Sequence, residues 1–237
     1  MSRKKIVVFS GAGLDKESGV DTFRDTDNGL WYNYKIDEVA TTEGWKKDKS
    51  KVLDFHNMLR EALHKTKPNS AHKLLAKLDT HFDVTHVTQN VSDLLEKAGC
   101  KNILHLHGEL MKCRSTLDPE LYYDCRGSLN LGDKCIKGSQ LRPHTVFFGE
   151  YPFNMEESIR ALSKADYLIM VGTSFQIHYT VGMMDMVGPN TKVYYIDPDP
   201  VDYFEEGPQL GTGIKYIKKT ATKGVKEVFD ELYSKIL

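Results

Sequence analysis

Residues 6–13 read Ile-Val-Val-Phe-Ser-Gly-Ala-Gly, a β-branched and aromatic run that ends in a Gly-x-Gly turn. Such a run predicts a buried strand, and glycines at its end let the backbone approach a ligand. A helix that follows directly points free N–H groups at an anion such as a pyrophosphate. The dinucleotide fingerprint has a third glycine where this chain has Lys16. The stretch alone leaves a plain tight turn and a nucleotide-binding turn both open.

The same kind of segment recurs along the chain. Further strands are predicted at 82–88, 167–171 and 193–196, and helices at 50–65, 70–78, 154–165 and about 222–236. Ser70 is expected to cap one helix, and Asn154 with Glu157 resembles a capping box at another. Strands that alternate with helices predict a parallel sheet covered on both faces. The fold class is therefore α/β.

Two stretches break the alternation. Residues 25–80 carry helical signals without a convincing strand, and residues 109–147 are rich in glycine, cysteine and turn residues. Both are interpreted as insertions that together form a smaller lobe. The large lobe then comprises about 1–24, 81–108 and 148–237, and the small lobe about 25–80 and 109–147.

Composition excludes several classes of protein. The 237 residues are 40% hydrophobic and 27% charged, which is typical of a globular chain. Lysine plus arginine (32) nearly balances aspartate plus glutamate (33), so there is no basic footprint for nucleic acid or a membrane. Four irregularly spaced cysteines fit a reducing compartment better than a disulfide framework. We expect a cytoplasmic protein with no nucleic-acid or membrane partner.

Polar residues follow the other predicted strands directly. Gln89 and Asn90 come after the second strand, Gly172-Thr-Ser174 after the third and Asp197 after the fourth. In open parallel sheets ligands bind outside the carboxyl ends of the strands, so these groups should face one crevice. A carboxylate at such an end, as at Asp197, is suited to bond ribose hydroxyls.

Two histidines stand close together in Leu104-His-Leu-His-Gly108. In an extended segment His105 and His107 would point to the same side. An imidazole can act as a general base near neutral pH, because its ordinary pKa is about 6.5. A purely structural histidine fits the same pattern, so the residues alone do not decide between the two roles.

The order of six motifs resembles the sirtuins, a family of NAD-dependent protein deacylases. The motifs are Gly-Ala-Gly-Leu-Asp-Lys-Glu-Ser-Gly-Val-Asp-Thr-Phe-Arg at 11–24, Gly-Leu-Trp at 29–31, Thr-Gln-Asn-Val at 88–91, His-Gly at 107–108, Leu-Arg-Pro-His-Thr-Val-Phe-Phe-Gly-Glu at 141–150 and Gly-Thr-Ser at 172–174. The resemblance covers about residues 4–236. It implies a Rossmann-like large domain, a small domain that usually holds zinc, and NAD as the cofactor.

The resemblance also implies roles for individual residues. His107 would be the catalytic base, with Asn90 beside it in catalysis. The loop Phe148-Gly149-Glu150 would pair with the backbone of an acyl-lysine peptide as an added strand. The acyl oxygen would attack C1′ of the NAD ribose as nicotinamide leaves, and His107 would deprotonate a ribose hydroxyl so that the acyl group moves to the sugar. The implied cofactor-binding residues are Gly11, Ala12, Gly13, Phe23, Arg24, Gln89, Asn90, Val91, Ser92, Gly172, Thr173, Ser174 and Asp197.

The chain departs from the family at the zinc module. Two Cys-x-x-Cys pairs form the usual tetrahedral site. Here Thr116 stands at the pair position of Cys113, Gly138 stands at that of Cys135, and Cys125 has no partner at this spacing. We expect no zinc and no other metal.

Two further departures concern the substrates. Ser92 replaces an aspartate that usually helps to bind nicotinamide. Members that prefer succinyl-lysine carry a Tyr-x-x-Arg pair, which aligns with His56 and Leu59, whereas Arg60 lies one residue off. Without that cation a dicarboxylate acyl group has no partner, so deacetylation is the expected activity.

Other functions remain open on the sequence. An NAD-consuming ADP-ribosyltransferase or NAD hydrolase of the same fold is the alternative, and Ser92 with the altered cysteine module brings it closer. A non-catalytic NAD-binding module would not need His107 or Asn90. A hydride-transferring dehydrogenase ranks last, because the third fingerprint glycine is absent.

Changing Asp197 to asparagine should narrow the preference for NAD over NADP at least about threefold, because it removes a charge that repels a 2′-phosphate. Binding of both cofactors to wild type and D197N measures the effect. A wild type that uses NAD and NADP equally would refute the ribose role of Asp197.

Overall fold

The computed structural model describes residues 3–20, 34–201 and 210–234. Their main feature is a six-stranded sheet in the order β3-β2-β1-β7-β8-β9, and every neighbouring pair in it is parallel. The strands are β1 Lys5–Ser10, β2 Asp83–Thr88, β3 Ile103–His105, β7 Tyr167–Val171, β8 Lys192–Ile196 and β9 Ile214–Ile217. Because the chain runs outward from β1 and then returns to β7 on its other side, the strand order reverses between β1 and β7. Ligand crevices form at such a switch point.

Helices cover both faces of this sheet, which confirms the predicted α/β class. The helices are α1 Ala12–Lys16, α2 Ile36–Val39, α3 Thr42–Lys47, α4 Lys49–Lys65, α5 Ser70–Leu78, α6 Leu94–Ala98, α7 Met155–Leu162, α8 His178–Met184 and α9 Ala221–Tyr233. Within the described residues, none of these helices is long and apolar enough to cross a membrane.

Alternation along the strands divides the core into two layers. Ile6 and Val8 of β1 point to the face covered by α5 and α9, whereas Val7 and Phe9 point to the face covered by α7 and α8. Successive strand residues face opposite sides, so a strand buried on both faces needs a continuous apolar run. This requirement explains why residues 6–9 carry no polar side chain.

The two insertions share a separate core. A three-stranded antiparallel sheet in the order β5-β4-β6 lies in the second insertion, with β4 Gly108–Ser115, β5 Tyr122–Asp124 and β6 Leu141–Thr145. Cys113 of β4 and Cys125, which directly follows β5, pack with Trp45, Val52 and Leu53 from α3 and α4. The sequence did not indicate these strands, because they are short and lack a sustained alternation.

Helix α5 belongs with the large sheet, although the boundary drawn at residue 80 assigned it to the small lobe. Its side chains Ala71, Leu75 and Leu78 pack in the same cluster as Ile6 of β1 and Val225 of α9. A helical pattern predicts an apolar face but does not say which core receives it. The division into two lobes stays a proposal, with its boundary moved from residue 80 to about residue 69.

The helix caps differ from the predicted ones. Asn69, not Ser70, caps α5, because its Oδ1 accepts from the backbone N–H groups of Ala71 at 2.9 Å and His72 at 3.3 Å. Asn154 precedes α7 but makes no capping bond, and its side-chain nitrogen donates instead to the His105 carbonyl at 2.9 Å. In both cases the asparagine side chain bonds a backbone group that the fold places within hydrogen-bond distance. The sequence pattern alone does not show which group that is.

Replacing Asn69 by alanine should cost about 1–2 kcal/mol of unfolding free energy, as for other lost helix caps. The matched control is S70A, because the Ser70 side chain is exposed and has no hydrogen bond among the described residues. Denaturant unfolding of both variants measures the difference. Equal losses would show that Asn69 is not the cap.

Candidate active site

Two glycine turns meet at the carboxyl ends of β1 and β7. The Gly11 amide donates to the Val171 carbonyl at 3.1 Å, and the Gly13 amide donates to the Gly172 carbonyl at 2.9 Å. A Cβ on Gly13 would lie 2.6 Å from the Gly172 Cα, so no larger residue fits there. Gly172 itself has a φ of +61°, which favours glycine. The close contact leaves Ala12 as the first residue of α1, with the helix N-terminus at the crevice.

The segment after β2 is tied to both turns. The Gln89 side-chain amide donates to Thr173 Oγ1 at 2.8 Å, and the Asn90 side-chain amide donates to the Gly11 carbonyl at 3.0 Å. Val91 accepts the Leu110 N–H through its carbonyl at 2.8 Å. The structure therefore brings together the residues predicted after the first three strands.

His107 lies over this segment. Its Nδ1 is 2.8 Å from the Gln89 carbonyl, which can only accept, so Nδ1 carries the hydrogen. The other nitrogen, Nε2, then presents its lone pair and accepts from the Tyr179 hydroxyl at 2.6 Å. Burial lowers the pKa of His107 below its ordinary value, although the bond to Gln89 opposes that shift. The imidazole is thus set up as a neutral base with Nε2 as the accepting atom.

Tyr179 was missed by the sequence reasoning, because a tyrosine five positions after Ser174 carries no motif of its own. It lies in the first turn of α8, and its ring meets that of His107 edge-on with centroids 6.1 Å apart. Burial raises the pKa of Tyr179, so its hydroxyl keeps its proton at neutral pH.

His105 holds the neighbouring carbonyl. Its Nδ1 donates to the Asn90 carbonyl at 2.9 Å, and its Nε2 meets Glu96 Oε1 at 2.8 Å. Burial disfavours the charged form, but the hydrogen bond and charge of Glu96 outweigh it and raise the pKa of His105. Two histidines therefore donate hydrogen bonds to successive backbone carbonyls: the neutral His107 to Gln89, and the more basic His105 to Asn90.

Asp197 occupies the same edge of the sheet, directly after β8. Its side chain is buried, and Oδ1 accepts from the Asp199 N–H at 3.0 Å. The Gly172 N–H donates to the carbonyl of Ile196, the residue before Asp197, at 3.0 Å, which joins this strand end to the glycine turns. Thr173 is buried and Ser174 half-buried beside them. Phe23 and Arg24, also predicted to bind the cofactor, lie outside the described residues.

The loop at 148–150, which is predicted to bind a peptide, is fixed by hydrogen bonds and ion pairs to neighbouring segments. The Phe148 N–H donates to the Ala40 carbonyl at 2.8 Å, and Gly149 has a φ of +92°. Glu150 forms ion pairs with Arg142 at 2.6 Å and Arg114 at 2.8 Å. Burial acts against its charge, but the hydrogen bonds from Arg142 and the Phe147 N–H keep the pKa of Glu150 low. Glu150 thus fixes the loop, while the Phe148 ring is about half exposed, at 48%.

His56, at the aligned tyrosine position, and Arg60, one residue after the aligned arginine position, both face inward. His56 is buried, with Nδ1 at 2.8 Å from the Val52 carbonyl, and burial lowers its pKa to about 4. The Arg60 guanidinium is also buried, and it donates to the Leu110 carbonyl at 2.9 Å and to Asn57 Oδ1 at 2.7 Å. Neither alignment register therefore offers an exposed cation on this helix for an acidic acyl group.

The cysteine module does not fit a four-thiolate zinc site. Thr116 and Gly138 stand at two ligand positions, and the Cys135 thiol is 3.1 Å from Ser139 Oγ. Elsewhere in the described residues, donor atoms lie within 4.8 Å of one another in two mixed groups, Asp79–His86–Cys100 and Glu96–His105–Glu109. Neither group includes Cys113, Cys125 or Cys135.

The carboxyl edge of this doubly wound sheet brings two glycine turns and the amides of Gln89 and Asn90 together with the half-buried, neutral His107. This arrangement is typical of a nucleotide-binding α/β enzyme. Residues 11–179 match the sequence model described as the Sir2 family. The chain belongs to this family, the sirtuins, as its motifs implied.

Similar proteins extend over nearly the whole chain. It is 43% identical over 229 residues to an NAD-dependent protein deacylase of Helicobacter pylori, covering 97% of each chain. It is 41% identical to an NAD-dependent protein deacylase of Bacteroides thetaiotaomicron, covering 95% of this chain and 96% of the relative. A solved Sir2 homologue in complex with NAD superposes with a TM-score of 0.85 at 29% identity, covering 99% of this chain and 91% of the other.

Purified protein should contain well under one zinc per chain, and a chelator should leave its Tm and activity unchanged. A structural zinc bound by four thiolates contributes about 10 kcal/mol or more to folding. This module lacks that contribution, because Thr116 and Gly138 stand at two of the four ligand positions. Elemental analysis with C125A as the comparison variant measures this. Stoichiometric zinc that is lost in C125A would reveal a rearranged three-cysteine site.

Proposed function

We propose that this protein is an NAD-dependent protein-lysine deacylase, with acetyl-lysine as its preferred substrate. It transfers the acyl group of a protein or peptide to ADP-ribose and releases nicotinamide. The observation that carries the proposal is His107, a neutral imidazole whose Nε2 accepts and whose Nδ1 is committed to the segment containing Asn90. NAD hydrolysis needs no peptide, whereas the loop 148–150, with which a peptide backbone would pair, is fixed by the Phe148 N–H bond to Ala40 and the Glu150 ion pair with Arg142, and this supports deacylation.

NAD fits the edge where the strand order reverses. A Cβ on Gly11 would lie 2.7 Å from the Gly172 carbonyl oxygen, so the glycines let the two turns lie in contact beside the N-terminus of α1, an arrangement suited to a pyrophosphate. Gly11, Ala12 and Gly13 would hold the phosphates, Thr173 and Ser174 would line the same turn, and Asp197 would accept from ribose hydroxyls. Bound NAD supplies the ribose carbon that takes the acyl oxygen.

The protein's own contribution is orientation and proton transfer. Because Gln89 holds Nδ1, His107 can receive a proton only at Nε2. The Tyr179 hydroxyl is hydrogen-bonded to that nitrogen, so it must turn away when a ribose hydroxyl takes its place. Asn90 is held at both its side chain and its carbonyl, which keeps its amide fixed beside the reacting sugar. Four free thiols support the cytoplasm as the compartment for this reaction.

Replacing His107 by alanine should lower acyl transfer by about 10²–10⁴, the usual contribution of a positioned general base. NAD binding should stay nearly unchanged, because the cradle is built by other residues. The test mixes each protein with NAD, with and without an acetylated peptide, and detects acyl-ADP-ribose by mass. H107A with near-wild-type turnover would refute the assignment, as would NAD consumption that ignores the peptide.

The pH dependence of acyl transfer should reflect the lowered pKa of His107. Its pKa lies below the ordinary 6.5, so the base stays deprotonated at neutral pH and acyl transfer falls only as the pH drops through that lower pKa. We expect the midpoint of the acidic limb of kcat/KM below pH 6.5. A midpoint well above that value would mean that another group or a cationic His107 controls the rate.

A further inference from the structure

His86 is a fully buried histidine, and neither of its ring nitrogens has a hydrogen-bond partner among the described residues. It lies in β2, two residues after Val84, and so points to the same face of the large sheet, the one covered by α5 and α9. Buried polar atoms are nearly always bonded, because leaving one without a partner destabilises the fold. An imidazole at this place therefore calls for a partner other than a hydrogen bond of the chain itself.

Two further donor groups lie beside His86. Asp79 Oδ1 is 3.5 Å from His86 Nε2, and the Cys100 thiol completes a group whose donor atoms all lie within 4.8 Å of one another. The Asp79 side chain is only 7% exposed and Cys100 only 8%. A separation of 3.5 Å is long for a hydrogen bond, but it is close to the ~3.3 Å between two ligands of a tetrahedral zinc.

Three different elements of the fold hold these donors. Asp79 directly follows α5, and its second oxygen, Oδ2, accepts the Lys101 N–H at 3.2 Å. The Cys100 N–H donates to the Leu95 carbonyl at 3.0 Å, which fixes the cysteine just beyond the end of α6. His86 is fixed by the pairing of β2 with β1 and β3. The group is thus built by the backbone, and an ion within it would join α5, β2 and the connection from α6 to β3.

We propose that Asp79, His86 and Cys100 form a binding site for a divalent transition-metal ion, with zinc as the best fit. Imidazole nitrogen and thiolate sulfur favour zinc, whereas magnesium and calcium require oxygen ligands. Within the part of the chain that the structure describes, the group offers three donors, so water would take the fourth tetrahedral position. The Cys100 thiol releases its proton to solvent as the bond between sulfur and metal forms. The site does not depend on the proposed function.

This site should bind zinc more weakly than four thiolates do. It has one sulfur ligand, and burial together with the charge of Asp79 raises the pKa of the Cys100 thiol to about 12, so zinc must displace a firmly held proton. The purified chain would for this reason carry little zinc and take up one ion when zinc is added. The sequence does not indicate the site, because Asp79, His86 and Cys100 are too far apart along the chain to form a chelating motif.

The test adds Zn²⁺ to the chelator-treated full chain and measures bound metal by equilibrium dialysis with elemental analysis. Wild type should bind one zinc per chain. C100A and D79N should each weaken binding by about 100-fold or more, because even partners outside the ligand shell are worth about 10–100-fold. The matched control is C125A, which removes a buried thiol outside the group and should bind as wild type does. D79N preserves the shape of the side chain and carries the test even where C100A does not fold.

Two measurements identify the ligands without an activity assay. Co²⁺ should give wild type and C125A the visible bands of a tetrahedral site and a charge-transfer band from sulfur, and C100A should lack the charge-transfer band. Zinc at about 100 times its Kd should raise the Tm of wild type by about 5–10 °C and leave that of C100A unchanged.

Three outcomes would overturn the proposal. A wild type that takes up no added zinc would leave His86 as an ionic partner of Asp79 alone. Zinc binding that C100A and D79N both retain would place the ion elsewhere. Binding that is lost in E109Q or C125A but kept in C100A would assign it to the group Glu96–His105–Glu109 or to the cysteine module.

Discussion

The contact of two glycine turns between β1 and β7 is the constraint on which the rest of the site depends. With Gly13 and Gly172 in backbone contact, the carboxyl ends of both strands lie at one level. The carbonyl of Gly11 and the hydroxyl of Thr173 then become anchors for Asn90 and Gln89. A side chain at either glycine would separate the strands and remove both anchors, so the geometry of the amides follows from the absence of two Cβ atoms.

Electrostatics then distinguishes two histidines that stand two residues apart. Both donate Nδ1 hydrogens to consecutive carbonyls, but only His105 has a carboxylate on its other nitrogen. Glu96 therefore raises the pKa of His105, whereas His107 faces a neutral phenol and burial lowers its pKa. The same backbone segment is held by two imidazoles whose pKa values are shifted in opposite directions. His107, which has the lowered pKa, keeps the lone pair on Nε2 as an acceptor.

The sequence predicted the features that local patterns encode. The continuous apolar run of β1 and its glycine turn indicated a buried parallel strand, and the motifs after β2, β7 and β8 were expected at one edge, where they lie. The short strands β3 and β9 and the small antiparallel sheet were missed, because three to eight residues without alternation carry little signal. The partners of the site were missed for another reason. Tyr179 reaches His107 across 72 positions and Asp15 reaches Ser92 across 77, and no spacing rule connects residues that only the fold brings together.

The loop at 148–150 has one further consequence. It is bonded to Ala40 of the first insertion and to Arg114 of the second, while the nucleotide cradle is built from the ends of the large sheet. The proposed protein-binding surface is thus supported by the two insertions, whereas the proposed NAD-binding surface is supported by the large sheet. Sequence changes in the insertions are therefore expected to alter which protein lysines are accepted as substrates. The transfer of the acyl group to the ribose should stay the same, so a change in the support of one loop can change the substrate specificity of the enzyme.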